Sequence, residues 1–360
     1  MRICYTEVEF LQDEGILKNI ERAGRTCYKS ENKITEDSAL SFVNMIKGRK
    51  HLSVLEHGSV YLKVLTHKLK ELNIVKNNVW CYIIHSPYGQ ETNEGYSFIY
   101  TNLRYIYESN PELAELIING KALPEGVEYF TPEKDDPYKR YSFRIITNFK
   151  ISEQYVRHRV FSHSKESSRY CNYAKERFNG ETAIVIPFEY ANIFFGYKGK
   201  LEGIDEKWYF TPDIKEDSIN NIAERCEWKL EEDSSSNRFI FDFLEKDFRL
   251  HKILSRCKLA EMDYIEEIKN GIKPENARDL LTLYTKTEHV MTGFLKDWRD
   301  LINKRSVPGA QYEARYIADC IKRCLKKETS KLQKIDEFLE SAKLYLDQLN
   351  NDIRLEPVFE

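Results

Sequence analysis

The chain has 360 residues, 41% hydrophobic and 31% charged, with a formal net charge of -3. That apolar content suffices for a sizeable core in one elaborated domain or two. The slightly acidic balance argues against a general nucleic-acid coat, which would usually be basic, so any anion site must be local. Glu7, Glu9, Asp13 and Glu14 interrupt any early apolar run, so no signal peptide is expected, and no run is long enough to span a membrane. The eight cysteines, at 4, 27, 81, 171, 226, 257, 320 and 324, form no C-x-x-C pair. They are expected to be reduced thiols in a cytoplasmic protein.

In chain order, Thr35 reads as a helix N-cap, with Ala39, Phe42, Val43 and Ile46 at helical spacing and Gly48 as the stop. His51–His57 reads as a loop. Val60, Leu62 and Val64 alternate as a strand does, and so do Tyr141, Phe143 and Ile145. Between those strands, 66–140 reads as an irregular insertion with short helices around Leu113–Ile118. A helix is predicted from near Ser152, carrying Gln154, Tyr155 and Arg157. Residues 190–250 are aromatic-rich, then acidic and serine-rich at Glu231–Ser236, and read as a second insertion. The last third reads as helical: 257–270 stopped by Gly271, 275–303 after Pro274, 311–325 after Pro308-Gly309, and a tail over 329–348. The fold class is therefore α+β: a small antiparallel or mixed sheet, few strands and a helical half.

One segment is too dense in polar anchors for ordinary packing: Arg157-His158-Arg159, then Ser167-Ser168-Arg169-Tyr170. Guanidinium forks match phosphate and carboxylate geometry, and hydroxyls add neutral donors. Such a cluster suits a polyanion, with a nucleotide the natural candidate. Its bland alternative is a solvated charged loop, or arginines ion-paired with Glu153, Glu166 and Glu176. His158, between two arginines, should lose basicity and stay neutral.

Three weaker patterns accompany it. His51-x-Ser53-x-x-Glu56-His57 has metal-ligating residue types, but its spacing fits no helical zinc motif, and loop hydrogen bonding or ligand contact explains it equally. Arg278 and Arg305, with Lys296, Asp300 and Lys304 between them, form a late basic set; Arg305 at a helix exit also suits the helix dipole. His163 precedes Ser167 by four residues, but no paired acid completes a hydrolase triad. No G-x-G-x-x-G or P-loop is present.

Taken together, these blocks resemble the flavin-dependent thymidylate synthase family. Its signature is an RHR triplet, seven residues, then Ser, continuing to Arg-Tyr, matched by Arg157-His158-Arg159, Ser167 and Arg169-Tyr170. The upstream H-x-[ST]-x-x-E-H element is similar to His51, Ser53, Glu56 and His57. An earlier Ala-Arg-x-[SC] element resembles Ala23–Tyr28, and the late element resembles Ala277-Arg278 with Arg305. The resemblance implies one synthase domain over 1–330, with insertions at about 66–140 and 190–250, and a helical C-terminal extension over 331–360. It implies reductive methylation of dUMP to dTMP, with 5,10-methylenetetrahydrofolate as carbon donor and NADPH-reduced FAD as hydride donor. It also implies a homotetramer with shared active sites, and no metal, membrane or nucleic-acid partner.

Carried over by position, Gln154, Arg157, Glu166, Ser167, Ser168, Arg169 and Arg278 would hold dUMP. Arg305 would be the catalytic residue, placing positive charge at the uracil edge. His51, Ser53, Arg157, His158, Arg159, Lys165, Lys296 and Asp300 would contact FAD. The chain departs from the family at Ser164-Lys165-Glu166, where Asn-Glu or Asn-Gln-Glu is common. It departs again near Phe294, Lys296 and Asp300, and at Leu281-Thr282 in place of Leu-Pro. These departures motivate an alternative, a diverged relative that binds nucleotide or flavin without turnover.

Overall fold

The computed structural model describes residues 1–74, 78–86, 95–194, 198–204, 207–213, 229–230, 239–241 and 248–327. Three small sheets and a set of helices build an α+β molecule. The strand Ser59–Leu65 buries Val60, Leu62 and Val64 on one face, as its alternation predicts. The helix Ser38–Gly48 buries Ala39, Phe42, Val43 and Ile46. Its N-cap is Asp37, not Thr35; the Ser38 hydroxyl instead accepts from the Thr35 amide and donates to Glu21.

The 66–140 insertion is more regular than its composition suggests. Tyr82–His85, Tyr96–Asn102 and Val127–Tyr129 join Ser59–Leu65 in a four-stranded antiparallel sheet. Ser97, Thr101 and Asn102 occupy buried positions, so the inner face does not read as apolar. Two helices follow, Leu103–Ser109 and Pro111–Ile118, each N-capped by an asparagine. The second insertion adds strands 199–204, 207–212, 229–230 and 239–241 to the sheet holding Arg2–Cys4 and Ala183–Val185. The acidic serine run 231–236 and the tail 329–348 lie outside the described residues.

The expected helix over 275–303 is corrected. Pro274–Ala277 is a single helical turn, and Lys286–Phe294 is a strand in the interior of the sheet that carries the site; a helix then runs over Leu295–Arg305. That sheet orders the strands 7–11, 140–148, 286–294 and 162–165. Lys286–Phe294 is buried along nearly its whole length, and the apolar spacing of such a strand cannot be told from that of a buried helix. The β-branched Thr287, Val290 and Thr292 favour a strand, and Gly293 disfavours a helix interior. Gly293 is required where it stands: a Cβ there would meet the Phe161 ring at 2.3 Å.

The helix before the arginine cluster spans Phe149–Val156, starting three residues before Ser152 because Asn148 accepts from the Ile151 amide at 2.9 Å. Phe143, Ile145, Tyr155, Phe161, Met291 and Trp298 lie in the hydrophobic core between this sheet and the helices 149–156, 295–305 and 312–327. The helix expected over 257–270 is longer, Phe248–Lys269, and ends at Gly271 with a positive φ of 86°. Cys320 and Cys324 lie on the packed side of Tyr312–Lys327, where burial pushes the Cys320 thiol up to about 12. Among the described residues, no helix is long and apolar enough to cross a membrane.

Candidate functional site

The Phe149–Val156 helix ends at the arginine triplet, with the His158 amide bonded to the Tyr155 carbonyl at 3.0 Å. Arg157 and Arg159 are exposed and have no side-chain partner among the described residues. The carboxylates expected to absorb them go elsewhere. Glu153 pairs with Lys165, and Glu166 accepts from the Lys286 ammonium at 2.8 Å. The ion pairs with Glu153 and Glu166 therefore do not form, and Arg157 and Arg159 stand open to solvent.

His158 meets Arg305, 147 residues away, at the last residue of its helix. The Arg305 Nε donates to His158 Nε2 at 2.9 Å, one Nη donates to the Gln154 carbonyl at 2.8 Å, and the other reaches Gln154 Oε1 at only 3.5 Å. A guanidinium cannot accept, so His158 Nε2 must present its lone pair and the ring is neutral. Burial, then Arg305 and Lys304, push this imidazole down to about 4. The expected neutrality is present, but Arg157 and Arg159 are not its cause. Gln311, which no sequence pattern singled out, accepts from Gln154 Nε2 at 2.6 Å.

A short strand, Ser162–Lys165, leads to the serines. The Ser167 amide donates to the Cys27 carbonyl at 3.0 Å, and the Ser167 carbonyl accepts from Tyr170 and Cys171 at 3.0 and 2.8 Å. The turn thus docks on the end of the helix Ile16–Tyr28. Tyr28 lies against Tyr170, ring centroids 5.4 Å apart, and its hydroxyl is hydrogen-bonded to His51 Nδ1 at 2.9 Å. Tyr170 is 49% exposed. Arg169 donates to Glu275 at 3.0 Å, which brings the Arg278 turn alongside. Ser168 is half-buried, and Arg278 and Ser53 are exposed.

Other residues of the expected set stand differently. Glu166 is 2% exposed and turned inward, accepting from Lys286 and from the Tyr173 hydroxyl. Lys296 lies over the Tyr82 ring at 4.0 Å, roughly 14 Å along the helix axis from Arg305. Asp300 pairs with Lys304 at 2.6 Å, and its charge reaches His158. The His51–His57 element splits in two. His51 and Ser53 lie towards the surface, whereas His57 is buried with its Nδ1 hydrogen-bonded to Thr292 at 2.8 Å, and Glu56 pairs with Arg104 at 2.6 Å. Hydrogen bonding accounts for the inner half. Among the described residues no group of three or more His, Cys, Asp or Glu could hold a metal ion. His163 turns away from Ser167 into the sheet, towards His289, and no triad forms.

Residues 138–329 match the model of a protein family, Thy1, described as thymidylate synthase complementing protein. That span holds the arginine triplet, the serines, Arg278 and Arg305 but not His51 or Ser53. Among solved structures, the chain is similar to a UMP/dUMP methylase, PolB, from Streptomyces cacaoi, bound with 5-Br dUMP. The identity is 12%, over 91% of this chain and 93% of that one, with a TM-score of 0.36. No curated protein matches the sequence.

Proposed function

The chain belongs to the thymidylate synthase complementing protein family, and from that premise we propose that it is a flavin-dependent thymidylate synthase, methylating dUMP to dTMP. The observation that carries this is the contact of Arg305 with His158 and Gln154. It joins the arginine triplet to the late helix of the family match, and among the described residues Arg157 and Arg159 have no side-chain partner.

In this reading Arg157, Ser167, Ser168, Arg169 and Arg278 bind dUMP, with guanidinium and hydroxyl donors at its phosphate. Glu166, already engaged by Lys286, holds the turn that presents Ser167. Arg305 is the catalytic residue. Its Nη at 3.5 Å from Gln154 Oε1 is weakly held. The N–H groups of that nitrogen are open to donate to a uracil edge brought against it, while the other two bonds keep the charge in place. A cation fixed there stabilises negative charge developing on the ring without reorganising during the reaction.

The residues present fit FAD. Arg159 offers an exposed fork, His158 a neutral ring, and His51, Tyr28 and Tyr170 a partly exposed ring surface. When bound, the flavin supplies a hydride drawn from NADPH, and methylenetetrahydrofolate supplies the carbon. Lys165 and Asp300 border the site in this reading, with the Lys165 charge matched by Glu153. Lys296, held by Tyr82, is the expected FAD residue that fits least.

We infer one synthase domain over 1–330, its insertions at 66–140 and 190–250, and a homotetramer sharing its sites. Leu259 and Met262, 58% and 56% exposed one turn apart on the 248–269 helix, supply apolar surface for self-association. The free thiols of the described cysteines suit a reducing compartment such as the cytoplasm.

The test is incubation of purified protein with FAD, NADPH, methylenetetrahydrofolate and dUMP, followed by chromatography for dTMP. Product that requires both FAD and NADPH supports the proposal. No product, although FAD and dUMP bind, replaces it with the diverged binding relative that the change at Lys165 motivates.

A further inference from the structure

Behind the arginine triplet runs a chain of hydrogen bonds that the proposed chemistry does not use. His163 Nε2 lies 3.0 Å from the His158 carbonyl oxygen, His163 Nδ1 lies 2.9 Å from His289 Nε2, and His289 Nδ1 lies 3.3 Å from the Ser152 hydroxyl. The register of the sheet makes this possible, because His289 pairs with Lys165 and Met291 with His163. His163 and His289 therefore project from the same face, diagonal to each other.

The direction of the chain follows from its end. A carbonyl oxygen can only accept, so His163 Nε2 carries the hydrogen. Burial holds both rings neutral, lowering His163 and taking His289 well below the ordinary histidine range. A neutral His163 that donates through Nε2 must accept at Nδ1, so His289 donates from Nε2. His289 then accepts at Nδ1 from the Ser152 hydroxyl. Ser152 is fully buried on the helix that ends at Arg157, so the chain closes a loop from that helix, across two strands, back to the helix end.

We propose that His163 is a positioning residue for Arg305. By holding the His158 carbonyl it fixes the peptide from which the His158 ring offers its lone pair to Arg305, and His289 and Ser152 fix the tautomer that allows this. The Phe161 amide shares the same carbonyl at 3.2 Å. That bond lies within the turn, whereas the bond from His163 comes from the strand Ser162–Lys165. The proposal rests on the synthase reading for its catalytic consequence but not for its structural one.

The test uses the full chain with FAD and compares His163→Phe, which removes both bonds, with His163→Gln, whose amide can donate to His158 and accept from His289. His163→Phe is expected to lower kcat about 10–100-fold, the scale of an ångström's misplacement, with the KM for dUMP within about threefold. His163→Gln should return to within about threefold of wild type, a rescue that simple core packing would not give. Hydrogen exchange followed by mass spectrometry should rise in His163→Phe over residues 155–161 and 302–306, and not in His163→Gln.

Unchanged exchange and turnover in His163→Phe, or a glutamine variant as impaired as the phenylalanine, overturns the proposal. If His163→Phe loses its cooperative melt, Ser152→Ala carries the test with an expected fall in kcat of more than about fivefold, and a rate within about threefold of wild type overturns it. A wild-type chain that makes no dTMP defeats the synthase reading alone, and exchange then decides the role of His163.

Discussion

Replacing Arg305 with alanine separates catalysis from stability, because the two losses differ in size. In the folded chain Arg305 makes two well-formed hydrogen bonds, at 2.9 Å to His158 and 2.8 Å to the Gln154 carbonyl, from a partly exposed position. Each is worth about 1 kcal/mol net, and the 3.5 Å contact adds little, so the variant should lose about 2 kcal/mol of stability. In a chain of this size that lowers the melting temperature by only a few degrees. Loss of a preorganised charge at the reacting ring costs more, about 10²–10³-fold in kcat. The variant should therefore stay folded and yellow with bound FAD while dTMP formation falls at least a hundredfold. The assay pairs chromatographic dTMP yield with flavin absorbance and a thermal melt on the same sample. Turnover within about threefold of wild type, with FAD bound, removes Arg305 from the mechanism. Loss of the cation should also let the His158 ring rise from about 4 towards its ordinary value, which burial and Lys304 then limit.

Three further outcomes are expected. Ser167→Ala should weaken dUMP binding about tenfold by calorimetry, while the rate of flavin reoxidation with dUMP saturating changes less; lost chemistry at full occupancy would refute the binding role. Gly293→Ala should lower stability by about 1–3 kcal/mol in denaturant titrations, because the new methyl group would displace the Phe161 ring, and a variant as stable as wild type would show that the ring moves freely. His57 is pushed down to about 3, by burial first and Arg140 next. The unfolded chain thus takes up a proton below pH 6.5 that the folded chain refuses. The stability from this site is whole above pH 6.5 and is lost as pH falls towards 3, by up to about 1.4 kcal/mol per pH unit. His57→Gln should flatten the dependence of unfolding free energy on pH across that window, and an unchanged slope would mean that His57 does not titrate on unfolding.

Legibility varied with the kind of signal. Val60, Leu62 and Val64, or Ala39, Phe42, Val43 and Ile46, announced their elements because one face is apolar and the other wet. Lys286–Phe294 did not, because both its faces are buried and it carries Glu288 and His289 inside, satisfied by Lys29, Arg144 and His163 on other elements. Glu166 illustrates the same difficulty at the site. As a residue type beside a signature serine it is a fair ligand contact, yet Lys286 of the neighbouring strand draws it inward. Its direction depends on a strand that the periodicity hid.

By itself the sequence determined the inventory: a dense arginine and serine cluster at Arg157–Tyr170, an α+β pattern, and the blocks that mark the family. Residue chemistry is local, so these could be read along the chain. Tertiary structure decided the partnerships. It set Arg305 against His158, docked Ser167 on Cys27, gave Glu153 to Lys165, and placed His163 beside His289. Each depends on strand register and helix ends that bring distant residues within about 3 Å, where a hydrogen bond forms or does not. Spacing along a chain cannot specify a distance across it.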